Sequence, residues 1–125
     1  MNISRRLNRL AELVTEGSRL ADVGTDHGYV PLCLCREKKI PSAIAMDINE
    51  GPFKRAKSHI ADAGLENYIE TRLSDGLHEL KGGEADTVLI AGMGGVLMVR
   101  ILTEGTRALM GVRELVLQPQ SEIDE

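Results

Sequence analysis

Aromatic residues are nearly absent from this chain of 125 residues, which has two tyrosines, one phenylalanine and no tryptophan. Hydrophobic residues still make up 42% of the sequence, so the core of the folded protein must be almost entirely aliphatic. A site that stacks a nucleobase on an aromatic side chain has only Tyr29, Phe53 and Tyr68 to choose from.

Cysteine is also scarce, since Cys33 and Cys35 are the only two in the chain. They lie two positions apart in a segment predicted to be helical, so their side chains point to different faces. This spacing argues against a disulfide between them and against a shared metal site. We expect two ordinary thiols, buried or half-buried, and no bound metal.

Long apolar runs are missing as well, because no 18 consecutive residues are apolar, and a membrane span is not expected. The first residues lack the apolar core of a signal peptide, so a cytoplasmic location is expected. The net charge of −4 gives no basic signature of nucleic-acid binding for the chain as a whole. Arg5, Arg6 and Arg9 form a local basic cluster, which is either a solvated helix face or a set of phosphate contacts.

The rest of the sequence alternates short apolar runs with helical repeats, within the length of a single domain. Predicted strands lie at 20–23, 43–48, 68–73, 87–91 and 114–117. Predicted helices lie at 4–17, with Leu7, Leu10, Leu13 and Val14 facing the core, and at 31–38, 49–63 and 96–109. This order predicts an α/β fold with a doubly wound, mostly parallel sheet. Residues 118–125 are too few to cover the last strand, so we expect a partial domain, incomplete at its C-terminal edge and prone to self-association there.

Residues 21–29, ADVGTDHGY, are the most informative stretch. They predict a strand, a tight glycine turn and a helix, an arrangement that brings backbone close to a ligand and points free N–H groups at it. Gly24 and Gly28 suit the loop that opens nucleotide-binding sheets, but Asp26 stands at its third position, where glycine is usual. A carboxylate there repels a pyrophosphate and tolerates a cation. The loop therefore favours S-adenosylmethionine, a sulfonium, over NAD, although the position of Asp47 also fits NAD.

Conspicuous residues follow four of the predicted strands, and parallel strands bring their carboxyl ends to one edge, where ligands bind. Asp22 and the glycine loop follow the first strand. Asp47 follows the second at the spacing of an acid that binds ribose hydroxyls. Asp75-Gly76 follows the third, placed to accept a hydrogen bond from an exocyclic amine, and Gly92 to Gly95 follow the fourth. Each alone also fits an ordinary turn or helix cap, but together they predict a site for a nucleoside-type cofactor.

Two residues of the loop leave alternatives open. Asp26 either stabilises the turn through nearby backbone N–H groups or faces the reacting centre. His27 is expected to shape the cofactor pocket rather than to transfer protons. The other two histidines, His59 on a predicted helix and His78 in a turn, are expected to lie at the surface.

The segment Asp22–Pro31, DVGTDHGYVP, resembles the D-x-G-[S/T]-D-H-[A/G]-Y-x-P signature of the bacterial tRNA adenine-N1 methyltransferases of the TrmK type, which modify adenine 22. Segments 74–77 (SDGL), 90–95 (IAGMGG) and 117–119 (LQP) follow in that family's order and spacing. The N-terminal helix, with its arginines and leucines, is also similar. The resemblance covers all 125 residues but only the first part of the family's length, without its last strands and C-terminal helical domain. This chain has Gln120 where the family usually has asparagine.

The resemblance implies a Rossmann-like class I methyltransferase domain, partial over residues 1–125, that transfers a methyl group from S-adenosylmethionine to N1 of adenine 22 in tRNA. It implies catalytic roles for Asp26, which would stabilise the cationic product or accept the proton lost from the exocyclic amine, and for Tyr29, which would stack on the base. It also implies a set of cofactor-binding residues: Asp22, Gly24, His27, Gly28, Asp47, Ile48, Asp75, Gly76 and Gly92.

Two other functions stay open at this point. One is a cofactor-binding fragment without activity on tRNA, since only three arginines form an obvious basic cluster. The other is a methyltransferase for a different nucleic acid or a small molecule. The Asn-Pro-Pro-Tyr motif of adenine-N6 enzymes is missing after the fourth strand, which argues against N6 methylation.

Overall fold

The structure, a computed structural model, describes residues 5–120. Strands and helices alternate along most of the chain, as the sequence predicts. The helices are α1 (Arg5–Leu13), α2 (Tyr29–Arg36), α3 (Glu50–Asp62) and α4 (Gly95–Glu104). The strands are β1 (Arg19–Val23), β2 (Ser42–Asp47), β3 (Ile69–Leu73), β4 (Thr87–Met93) and β5 (Glu114–Pro119).

The five strands form one sheet in the order β3-β2-β1-β4-β5, and every pair is parallel. The chain winds outward from β1 to β3 and then returns to the other side of β1 with β4. The order of the strands therefore reverses between β1 and β4, which is the place where doubly wound sheets bind ligands. The predicted doubly wound fold is confirmed.

Each face of the sheet packs an aliphatic core of its own. One core gathers side chains of α1, α2 and α3 with inward residues of the strands, among them Leu10, Val30, Ile60 and Leu89. The other gathers α4 and the segments on either side of β4, among them Leu77, Met98 and Ile101. No aromatic side chain belongs to the buried part of either core, in agreement with the composition.

Most predicted helices and strands begin or end a few residues away from the observed bounds, and one predicted core residue is exposed. Leu13 was expected in the core but is exposed, and Ala11 is buried instead, because α1 ends at Leu13. Helix α4 ends at Glu104, five residues before the predicted end at residue 109, and Gly105 is its C-terminal cap. Strand β4 runs two residues beyond Ala91, through a register irregularity between Ala91 and Met93. Ser4, predicted to cap the first helix, lies outside the described residues.

Two further findings concern the surface of the molecule. The side chains of Leu115 and Leu117 on β5 are exposed, as expected for an edge strand with one uncovered face. Within residues 5–120, no helix is long and apolar enough to cross a membrane. Cys33 is half-buried, Cys35 is buried, and both are free thiols, as the sequence predicts.

The close packing around Gly105 gives a first prediction. A methyl group added there would lie 2.6 Å from Leu77 Cδ1 and 2.9 Å from the carbonyl oxygen of Ile101. We expect Gly105→Ala to lower the free energy of unfolding by roughly 1–3 kcal/mol, the usual cost of overpacking. Urea denaturation measures this change. Gly95→Ala is the control, since its added methyl meets no heavy atom within 4 Å, and an equal loss in both variants would contradict the packing argument.

Candidate active site

A cavity of about 280 Å³ opens at the carboxyl edge of the sheet, between the end of β1, the end of β4 and the start of α1. Carboxylates and loop backbone line one side of it, and aliphatic side chains line the other. Its wall consists of Arg6, Leu7, Leu10, Asp22, Gly24, Thr25, Asp26, His27, Tyr29, Val30, Leu89, Ala91 and Gly92. A larger cavity, of about 630 Å³, lies at the amino edge, but it contains none of the predicted site residues.

The loop after β1 is held by hydrogen bonds to the end of β2. The N–H groups of Gly24 and Thr25 donate to the carbonyl of Met46 at 2.9 and 2.8 Å. The N–H of Asp26 donates to Asp47 Oδ2 at 3.2 Å. The N–H of Gly28 donates to the carbonyl of Thr25 at 3.0 Å.

These bonds change the expected character of the loop. The sequence predicted N–H groups free for a ligand, but four of them are satisfied within the protein. A phosphate-binding loop needs such groups unpaired, so this loop is not built as a phosphate cradle. Gly24 has a left-handed φ of +74°, a backbone conformation that favours glycine.

Asp22 places a buried carboxyl group in the wall of the cavity. The side chain is 5% exposed, and Thr25 Oγ1 donates a hydrogen bond of 2.8 Å to Asp22 Oδ2. Burial raises the pKa of Asp22 to about 7, with the hydrogen bond from Thr25 opposing the rise and the nearby Asp47 carboxylate adding to it. A positive charge in the cavity would favour the ionised form of Asp22.

Asp26 directs its carboxylate outward at the rim of the cavity. Its backbone has a left-handed φ of 56°, which aspartate tolerates better than most residues. Oδ1 lies 3.7 Å from Arg55 Nη2 and 3.7 Å from His27 Nε2, with the side chain 66% exposed. The contacts of this carboxylate are thus with charged or titratable side chains rather than with the turn's own N–H groups, and the carboxylate is accessible to a ligand at the rim.

Three rings lie nearly parallel beside the loop. The centroids of His27 and Tyr29 are 5.0 Å apart at an angle of 10°, and His59 lies 5.4 Å from His27 and 5.8 Å from Tyr29. His59 is half-buried on α3, so it is less exposed than the sequence predicts, because it packs against a loop distant in sequence. His78 is exposed, as expected.

Not all of the predicted site residues meet in the cavity. Asp22, Gly24, Asp26, His27, Tyr29 and Gly92 line it. Gly28 is buried against Ala56 as the cap of α2, and the buried Asp47 accepts N–H bonds from Asp26 and Asn49. Ile48 and Asp75 are exposed, and Gly76 is half-buried. These last three lie along the same edge of the sheet, beyond the cavity wall.

Sequence reasoning missed three polar contributors to the site. Thr25 donates a hydrogen bond to Asp22, and the position of Thr25 inside the loop motif is a signal from which this role could be predicted. Arg55 and His59 reach the loop from α3, and their spacing of four residues puts them on one side of that helix. The spacing alone does not show which part of the protein that side of α3 contacts.

Comparison with known proteins identifies the family of the chain. Residues 3–125 match the model of a family described as a methyltransferase domain. The chain is 43% identical to the tRNA (adenine(22)-N(1))-methyltransferase of Bacillus subtilis (strain 168) over 119 residues, which are 95% of this chain and 50% of that protein. The resemblance inferred from the motifs is confirmed.

Solved structures extend the comparison to the fold. A candidate tRNA (m1A22) methyltransferase of Streptococcus pneumoniae, in complex with S-adenosyl-L-methionine, has a TM-score of 0.93 at 41% identity, covering 97% of this chain and 57% of that one. The B. subtilis M1A22 tRNA methyltransferase has a TM-score of 0.89 at 42% identity, covering 94% and 50%. The Rossmann-like methyltransferase fold is confirmed. The chain spans about half the length of these relatives.

The buried carboxyl group of Asp22 generates a prediction about pH. Because its pKa in the folded protein is above the ordinary 3.8, the folded state binds more protons than the unfolded state between about pH 4 and 7. Stability therefore falls as the pH rises through that window, by up to about 4 kcal/mol from this group. Asp22→Asn can still accept the Thr25 hydrogen bond but cannot titrate.

We expect the Asn variant, without ligand, to gain stability relative to the original chain as the pH rises from 4 to 7. Urea denaturation at four or five pH values measures the difference. Parallel stability curves for the two proteins would show that Asp22 is ionised in both states and that its burial has no electrostatic cost.

Proposed function

The chain belongs to the methyltransferase-domain family, and we propose that it transfers a methyl group from S-adenosylmethionine to N1 of adenine 22 in tRNA. The observation that carries this proposal is the acid-lined cavity beside the loop after β1, in a chain 43% identical to a tRNA (adenine(22)-N(1))-methyltransferase. A tRNA substrate would place the reaction in the cytoplasm.

The residues of the cavity suit this cofactor better than a dinucleotide. The N–H groups of Gly24, Thr25 and Asp26 are bonded within the protein, so the loop offers little to a pyrophosphate. Asp22 lies in the cavity wall, and the buried Asp47 lies next to it outside that wall. Their carboxyl groups favour a ligand that carries positive charge. Each oxygen of Asp47 accepts one N–H bond and has a second lone pair available for a ribose hydroxyl.

The cofactor supplies an electrophilic methyl group on a sulfonium sulfur, and the chain's own residues supply alignment and charge. Adenine N1 has a free lone pair, so no strong base is needed to expose the nucleophile. The ring of Tyr29, in the cavity wall, is placed to stack on the base and align N1. The exposed carboxylate of Asp26 can stabilise the cationic product or accept the proton lost from the exocyclic amine.

The tRNA would approach along the exposed side of α1. Arg5, Arg6 and Arg9 are exposed on this helix, and Arg6 also belongs to the cavity wall. Guanidinium groups at that position could bind phosphates next to the target nucleotide. Because N1 is on the Watson–Crick edge, a paired adenine would have to leave the helix to reach the cavity.

A second candidate function is cofactor binding without methylation of tRNA. It is favoured by the net charge of −4, since a protein of negative net charge is repelled by the phosphates of tRNA. The exposed Leu115 and Leu117 on β5 support self-association through that edge.

The cofactor proposal predicts the effect of Asp47→Ala. Loss of this carboxylate should weaken binding of S-adenosylmethionine by about 1.5–3 kcal/mol, the worth of charge-assisted hydrogen bonds. Calorimetry measures the affinity. Glu66→Ala, which removes an exposed charge from the loop before β3, is the control. Unchanged affinity in a folded Asp47→Ala protein would refute the role of Asp47, and a preference for NAD would refute the cofactor.

The reaction itself is tested with labelled S-adenosylmethionine and unmodified tRNA, under single-turnover conditions with excess protein. Label at N1 of adenine 22 is the expected result. Binding of the cofactor without any transfer would favour the second candidate function.

In the same assay we expect Asp26→Asn to lower the single-turnover rate constant of methyl transfer by roughly 10²–10⁴, the range for one proton-transfer group, with little change in cofactor affinity. Asparagine also tolerates the left-handed backbone of this position, so the turn should persist. A rate close to that of the original chain would mean that Asp26 only stabilises the turn.

A further inference from the structure

His59 contacts the loop from outside the cavity. Its Nδ1 lies 2.9 Å from the carbonyl oxygen of His27, although the two residues are 32 positions apart. A carbonyl oxygen can only accept, so Nδ1 must carry the proton and donate. The side chain is part of a shallow groove between α2 and α3, lined also by Tyr29 and Arg36, and it is not part of the cavity wall.

With the bond from His59, one peptide group of the loop is hydrogen-bonded at both its carbonyl and its N–H. In the peptide between His27 and Gly28, the carbonyl accepts from His59 and the N–H donates to the carbonyl of Thr25 at 3.0 Å. With both ends bonded, the plane of this peptide cannot rotate. The plane sets the direction in which the chain enters α2, and the first residue of α2 is Tyr29.

We propose that His59 is a positioning residue, which through its hydrogen bond to the His27 carbonyl fixes the orientation of His27 and Tyr29 at the cavity. The effect of this positioning on the alignment of cofactor and base rests on the proposed function. The hydrogen bond, rather than the parallel rings, is the essential contact, because only the bond acts on the backbone that carries both side chains.

The charge state of His59 does not enter this role. Nδ1–H is present in the neutral tautomer that donates to His27 and also in the protonated ring. The role of His59 thus differs from those of Asp22 and Asp26, whose functions depend on their charge.

Three variants separate the hydrogen bond from the ring contact. His59→Asn keeps an N–H donor two bonds from Cβ, as Nδ1 is in histidine, and loses the ring. His59→Phe keeps a ring and loses the donor, and His59→Leu loses both. His78→Phe is the matched control, because His78 is an exposed histidine on a different segment. Thermal unfolding of each variant shows whether it is folded under the assay conditions.

The first measurement is calorimetric binding of S-adenosylmethionine. We expect the Phe and Leu variants to bind about three- to tenfold more weakly, the worth of one neutral hydrogen bond, and the Asn variant and the control to stay within about twofold. The second measurement is the hydrogen-exchange rate of the Gly28 N–H, followed by NMR without ligand, because this N–H belongs to the peptide that His59 holds. Exchange should be faster in the Phe and Leu variants and unchanged in the Asn variant, with the remote N–H of Leu109, bonded to the carbonyl of Gly105, as the internal reference.

Two results would overturn the inference. One is a Phe variant that matches the original chain in both measurements, which would show that the bond to His27 is dispensable. The other is an Asn variant as impaired as the Leu variant, which would assign the effect to the ring. If the original chain does not bind S-adenosylmethionine, the proposed function fails, and the exchange rate of the Gly28 N–H still decides whether His59 positions the loop.

Discussion

Three N–H groups of the loop after β1 donate to the end of β2, two to the carbonyl of Met46 and one to the carboxylate of Asp47. This small set of hydrogen bonds joins the two central elements of the site. Because β1 and β2 are parallel neighbours in the sheet, their carboxyl ends lie side by side, and the loop has a rigid support beneath it. The shape of the cavity depends on that support, since the loop forms one wall of it.

The same bonds explain how a glycine loop can lack a phosphate site. In a phosphate-binding loop the N–H groups point at the ligand, whereas here they point at the neighbouring strand. The loop therefore offers carboxylates and ring faces in place of N–H donors. Burial raises the pKa of Asp22 to about 7, so a positive charge in the cavity would favour its ionised form. The site is thus organised to receive positive charge, which agrees with the sulfonium cofactor that we propose.

The two faces of the sheet contribute unequally to the site. Helices α1, α2 and α3 cover one face, and their side chains Arg6, Tyr29 and Arg55 surround the loop. Helix α4 covers the other face and contributes no side chain to the cavity wall. At the outer edge, β5 leaves Leu115 and Leu117 exposed. The chemistry is concentrated at the reversal between β1 and β4, and the edge strand mainly extends the sheet.

The sequence by itself determined the order of strands and helices, the doubly wound class and the edge on which the acids lie, because these follow from apolar periodicity and from glycine and proline at element ends. It also placed the loop from Asp22 to Tyr29, whose residues are adjacent in the chain. Only the tertiary structure decided that the loop N–H groups are bonded internally, that Arg55 and His59 reach the loop, that Leu13 is exposed and that Asp75 lies outside the cavity. Such features depend on how segments tens of residues apart pack against each other, and no local pattern encodes that packing.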